Sequence, residues 1–159
     1  MIVSKGRFIL NLFSHIIGTT THKLRVFIYL FIFCIKLLYR GLVHDLSKYS
    51  WYESKHYAEI IHLLRGSTYG SVIYRESLRH IKPAIKHHYK RSKHHPEHWE
   101  NEINDMSLLD FVEMAYDWKA ASKRHKNGDT NKSIDVNKKR FNMDETAVTL
   151  LKNTIGDKK

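Results

Sequence analysis

With a single cysteine, Cys34, the chain can form no internal disulfide and can offer no cluster of thiolates to a metal. Any metal site must therefore be built from imidazole and carboxylate. Two prolines and seven glycines in 159 residues leave no room for low-complexity linkers, and the chain reads as globular and of single-domain size. Acidic residues are also scarce, 16 against 27 Lys and Arg, for a formal charge of +11. Such a field attracts nucleotides, nucleic acid or an acidic membrane, although a solvated lysine surface gives the same sum. Long hydrophobic runs are short of spanning length. Val26 to Ile35 is uninterrupted and Leu37 to Tyr39 extend it, but Arg25, Lys36 and Arg40 bracket and break it, whereas a spanning helix needs about 20 mostly apolar residues. No membrane span is favoured, and a central helix buried on most sides is expected. The stretch Phe8 to Ile17 after Lys5-Gly6-Arg7 is diluted by Asn11, Ser14 and His15 and does not read as an export signal.

Helix signals dominate, and no run alternates with period two. Thr19-Thr20-Thr21 offers N-caps for a helix running to about Arg40, with Gly41 as its stop. Ser50-Trp51-Tyr52-Glu53 has capping-box spacing and opens a helix ending near Gly66, after which 66–70 is a loop. From Tyr74, the residues Leu78, Ile81, Ile85 and His88 share one helix face, and Pro83 kinks or restarts that helix. Ser107-Leu108-Leu109-Asp110 opens another helix that runs to about Lys123. Asn127-Gly128-Asp129 is a turn, Ser133 and Asn142 are candidate caps of short C-terminal helices, and 156–159 reads as a frayed tail. The expected architecture is an all-α bundle of about five to seven helices.

What is plentiful is histidine: twelve residues, of which His87, His88, His94, His95 and His98 lie close together. The sharpest local signal is His44-Asp45, just past Gly41. Neighbouring side chains diverge by about 100° within a helix, but at a helix end the backbone can turn both towards one ion. The plainer reading makes Asp45 a helix cap and His44 a surface residue. Asp117 sits among residues of apolar character, where an unpaired carboxylate is costly, so it asks for a partner. Asp110, Glu113, Asp117 and Arg124 equally trace a solvated face. His22 begins the apolar helix, either as a ligand or as an ordinary residue beside the threonines. His88 continues an apolar stripe, as a ligand or as a hydrogen-bonded core histidine. Pro96 forces His95 towards an extended conformation. Imidazole with carboxylate suits Mn, Fe, Zn, Ni or Co.

The order His22, His44-Asp45, His88 and His95, then Asp117 resembles the HD-domain superfamily of metal-dependent phosphohydrolases. That resemblance implies His22, His44, Asp45 and Asp117 as ligands of a first divalent ion, and His88 and His95 for a second, with His87 and His94 as close alternatives. It implies an HD-like core over 21–155, behind an N-terminal extension of about twenty residues. More narrowly, HDLSKYS, HHYKRSKHHPEHW and EMAYDWKAAS resemble an uncharacterised family of phage and bacterial proteins, over about 22–141. Ser92 stands where that family's pattern has asparagine. The implied function is metal-dependent hydrolysis of a nucleotide or another small phosphate ester, in the cytoplasm (the host's, if the chain is viral). Lys48 would meet a phosphate oxygen, and Glu97 would act as an acid or base or would orient a histidine. Two alternatives remain open: a dinuclear-iron oxygenase of HD type, and a non-catalytic basic module that binds nucleic acid or a partner.

Overall fold

A computed structural model of the chain describes residues 5–67, 71–124 and 128–158, and every regular element among them is helical. Seven α-helices follow in order: α1 Lys5–Val43, α2 Trp51–Gly66, α3 Val72–His80, α4 Lys82–Arg91, α5 Leu108–Ser122, α6 Thr130–Arg140 and α7 Glu145–Ile155. Short 3-10 turns occupy Leu46–Tyr49, Pro96–His98 and Glu102–Asp105. The chain divides into two units, 1–42 and 43–159.

The first unit is helix α1. It passes through Thr19-Thr20-Thr21 without a break, so these threonines are not caps. The Thr21 hydroxyl donates to the Ile17 carbonyl at 2.8 Å, one turn back, and is satisfied inside the helix. Gly41 is no stop either, since the helix runs on to Val43. The expected burial on most sides is absent: no residue of α1 is buried, and Phe27, Leu30 and Phe31 are exposed. A lone helix has nothing within its own unit against which to pack. By length and composition α1 could cross a membrane, with a mean hydropathy of 2.0 in its most apolar stretch. Core helices of soluble proteins and signal sequences pass the same test, and no span is assigned.

In the second unit α2 packs against α3 and α4, and α5, α6 and α7 pack on one another. The latter group encloses an apolar core of Met114, Ala115, Trp118, Ile134, Phe141, Met143, Val148, Leu151 and Ile155. Trp118 and Phe141 stack in it, with ring centroids 6.1 Å apart. Capping explains most boundaries. Ser50 caps α2 by accepting from the Glu53 amide at 3.3 Å. The box is only half made, because the Glu53 side chain is drawn into the interior instead of back to the cap. Ser107 and Asp110 complete a full capping box on α5. Pro83 restarts the chain: α3 ends at His80, Ile81 turns, and the proline falls in the first turn of α4, where its missing N–H costs nothing.

The C-terminal caps differ from expectation. Asp129 caps α6 and Asp144 caps α7, because each carboxylate reaches an amide three residues on. Ser133 lies inside α6, and Asn142 takes a positive φ of 43° in the turn between α6 and α7. Of the turn expected at 127–129, residue 127 lies outside the described residues, as does 68–70 of the loop expected at 66–70. Nor is the tail frayed as far as Asp157. Its carboxylate accepts from the Thr130 amide at 2.8 Å and pairs with Lys123 at 2.7 Å. Beside it, a Cβ on Gly156 would fall 2.4 Å from the Lys152 carbonyl and 2.5 Å from Asn131 Oδ1. Gly156→Ala should therefore displace the pinned tail and cost roughly 1–3 kcal/mol, by analogy with overpacking in a filled core. A thermal melt superimposable on that of the parent would show that this approach is not tight.

Candidate metal centre

The site begins where α1 ends. After Val43 the backbone bends at Asp45, which adopts φ 58° and ψ 17°, in the left-handed region that aspartate tolerates better than most residues. This bend, and no regular helix, allows His44 and Asp45 to face the same space. His88 comes from the last turn of α4. The segment after α4 then supplies His94 and His95. Ser92 is the buried C-cap of α4, and His95 is extended, at φ −94° and ψ 126°, as the following proline requires. From α5 come Glu113 and Asp117, four residues apart and so on one face.

Three groups of these side chains can each bring ligand atoms within 4.8 Å of one another: Asp45, His88, His94 and His95; His44, Asp45 and Asp117; and His44, His94 and Glu113. Asp45 joins the first two. Its Oδ1 lies 3.1 Å from His88 Nε2 and 3.4 Å from His94 Nε2, and its Oδ2 lies 3.4 Å from His44 Nε2. His44 Nε2 is also 3.6 Å from Asp117 Oδ1, and the Nε2 atoms of His88 and His95 are 3.0 Å apart. Ligands bound tetrahedrally at about 2.0–2.1 Å stand roughly 3.3 Å from each other. The observed separations bracket that value.

Two buried side-chain atoms among the described residues lack any hydrogen-bond partner, and they face each other: Asp45 Oδ1 and His94 Nε2. Their 3.4 Å separation exceeds the usual 2.7–3.2 Å of an N–H···O bond. A cation between a carboxylate oxygen and an imidazole nitrogen would satisfy both, so the donor set fits a divalent ion.

The electrostatics point the same way. The carboxylates of Asp117 and Glu113, against the opposing effect of burial, raise the His44 pKa to about 10. Burial would raise the Asp45 carboxyl, but His88, His94 and Lys48 outweigh it and hold Asp45 well below the usual carboxylate range. Asp117 is likewise lowered, since His44 outweighs its burial. Burial, joined by the neighbouring charges of His94 and His88, pushes His95 down to about 3, leaving it a neutral imidazole.

Five of the residues singled out in the sequence are thus gathered: His44, Asp45, His88, His95 and Asp117. His94 joins them with its neighbour, while His87 turns away, with its Nδ1 2.7 Å from Glu53 Oε1. His22 lies exposed within α1, in the first unit, and none of the three groups includes it. Lys48 forms an ion pair with Asp45. Glu97 pairs with Arg140 and belongs to none of the groups. Two residues went unrecognised as part of the site. Glu113 enters the sequence reading only as a member of the face shared with Asp110, Asp117 and Arg124, and its i, i+4 spacing to Asp117 is the available signal. Glu53 carried only a capping signal, yet it is fully buried and holds His88 Nδ1 at 3.1 Å.

A divalent ion must displace the proton that these carboxylates hold on His44. Loading metal-free protein at about pH 7 should therefore release about one proton or more per site, and apparent affinity should rise with pH. Titration calorimetry with Zn(II), in two buffers of different ionisation heat, measures this. Uptake without proton release, at an affinity indifferent to pH, would remove His44 from the ligand set.

Neither a curated protein nor a solved structure matches the chain. One family does, and its match over residues 12–157 reaches further at both ends than the motif-based resemblance over 22–141. The chain belongs to that family, DUF5662, a family of unknown function.

Proposed function

We propose that the protein is a divalent-metal-dependent phosphohydrolase acting on a nucleotide or another small phosphate ester. The observation that carries this reading is the convergence of five imidazole and carboxylate side chains on Asp45, with its Oδ1 and His94 Nε2 left as facing orphans. Held by His44, Asp45, His88, His94, His95 and Asp117, one or two ions would supply an activated water at near-neutral pH and charge neutralisation at a phosphate. Mn, Fe, Zn, Ni and Co all accept such nitrogen and oxygen donors.

The protein's own residues provide the rest. Asp45 presents both oxygens to the centre and is kept ionised by the histidines and Lys48 around it. Lys48, one helical turn on and about one-third exposed at 35%, stands at the edge of the centre with its ammonium on Asp45. From there it can meet a phosphate oxygen as a substrate arrives. Glu97 is committed to Arg140, which suits an anchoring role for the loop that carries His94 and His95, and no catalytic role is proposed for it. The +11 charge favours an anionic substrate.

Elemental analysis of the purified protein, beside folded His44→Ala and Asp117→Ala variants, tests the centre. Near-stoichiometric metal is expected in the parent, with most of it lost in both variants. The resemblance also implies His22 as a ligand, so His22→Ala should lose metal too; retention would confine the ligand set to residues 43–159. Metal-dependent release of phosphate in an ester screen is the expected activity, reduced at least about tenfold in Lys48→Ala by loss of phosphate stabilisation. Bound iron with oxygen uptake and no phosphate release would select the oxygenase instead. A parent that binds no Mn, Fe, Zn, Ni or Co defeats the reading, and salt-sensitive nucleic-acid binding without turnover would then identify a basic binding module.

A further inference from the structure

A single oxygen of Glu113 touches two of the site's imidazoles. Its Oε1 lies 2.8 Å from His44 Nδ1 and 3.1 Å from His94 Nδ1. The two histidines come from separate segments, one at the end of α1 and the other after α4, and their rings lie 4.4 Å apart. On the opposite edge of each ring stands Asp45, with one oxygen 3.4 Å from His44 Nε2 and the other 3.4 Å from His94 Nε2. The pair of imidazoles is thus held between two carboxylates, at hydrogen-bond distance on the Glu113 side and at the spacing of shared metal ligands on the Asp45 side.

An ionised carboxylate only accepts hydrogen bonds, so each Nδ1 on Glu113 must carry its hydrogen. In a neutral imidazole this fixes the tautomer and leaves the lone pair on Nε2. We propose that Glu113 is a positioning residue: by accepting from both Nδ1 atoms through one oxygen, it aims the Nε2 atoms of His44 and His94 at the ion held by Asp45. The rival assignment makes Glu113 itself a ligand, because His44, His94 and Glu113 could also gather around an ion on the Nδ1 side. The 2.8 Å contact to His44 is already a hydrogen bond and the 3.1 Å contact to His94 is an ion pair, whereas the unpartnered nitrogen is His94 Nε2, on the other edge. A related arrangement occurs at His88, whose Nδ1 meets the Ser47 hydroxyl at 2.8 Å and buried Glu53 at 3.1 Å while its Nε2 faces Asp45 at 3.1 Å. One residue on α5 thereby sets two ligands that the chain brings from different places.

The inference rests on the metal reading, and Zn(II) is the probe that separates the two. Zn(II) affinity is measured by chelator competition for the wild type, Glu113→Gln and Glu113→Ala. Removing such an orienting partner typically weakens binding 10–100-fold. Glu113→Ala should fall in that range, and Glu113→Gln, whose carbonyl can still accept from both rings, should recover part of the loss. Long-range ¹⁵N imidazole spectra of the Zn(II)-loaded wild type provide a readout that does not depend on any variant folding. They should show Nδ1 protonated and Nε2 metal-bound in both His44 and His94. Metal on Nδ1 of either ring, a Glu113→Ala affinity equal to that of the wild type, or no recovery in Glu113→Gln would each overturn the proposal. If the wild type takes up no Zn(II), the metal reading fails and the inference fails with it; uptake with unaltered Glu113→Ala affinity defeats the inference alone.

Discussion

Burying a carboxylate is expensive unless something positive faces it, and at Asp45 that demand falls on a residue shared by two groups of candidate ligands. The residue is forced into a left-handed backbone conformation at the end of a long helix, with three imidazoles and one ammonium around its two oxygens. Several elements of the second unit meet that demand. The bend at Asp45 turns His44 inward, α4 delivers His88 in its last turn, and the segment closed by Pro96 delivers His94 and His95.

None of the candidate ligands belongs to the apolar core. Met114, Ala115 and Trp118 face α6 and α7, and they fix the rotation of α5 about its axis. With those residues turned into the core, Glu113 and Asp117 are left on the face that meets the histidines. The link from sequence to chemistry therefore runs through helix rotation. A slip of one residue in α5 would swing both carboxylates by about 100° and leave the imidazoles without partners.

The ends of the helices show where local sequence suffices. Ser50, Ser107 and Pro83 act as their chemistry predicts, because a cap or a proline works through the next three or four residues alone. Thr19 to Thr21 and Gly41 mislead, since a threonine can bond backward within a helix and a glycine is tolerated where nothing crowds it. Ser133 and Asn142 lose their capping roles to Asp129 and Asp144, competitors a few residues upstream or downstream. The tail was read as free because its partners, Thr130 and Lys123, belong to elements distant in sequence.

The sequence by itself determined the chemistry available: no thiolate cluster, abundant histidine, a His-Asp pair just past a glycine, and helical patterning throughout. Residue type and short-range spacing carry that information, and the family resemblance they support implies His44, Asp45, His88, His95 and Asp117 as ligands. The tertiary structure alone decided that His88 faces the centre while His87 faces Glu53, that His94 enters beside His95, and that Glu113 and Glu53 are interior groups with imidazole partners. Whether His87 or His88 points inward depends on the rotation of α4 against Glu53, which lies 34 and 35 residues away from them in the chain, and no window of local sequence contains that contact.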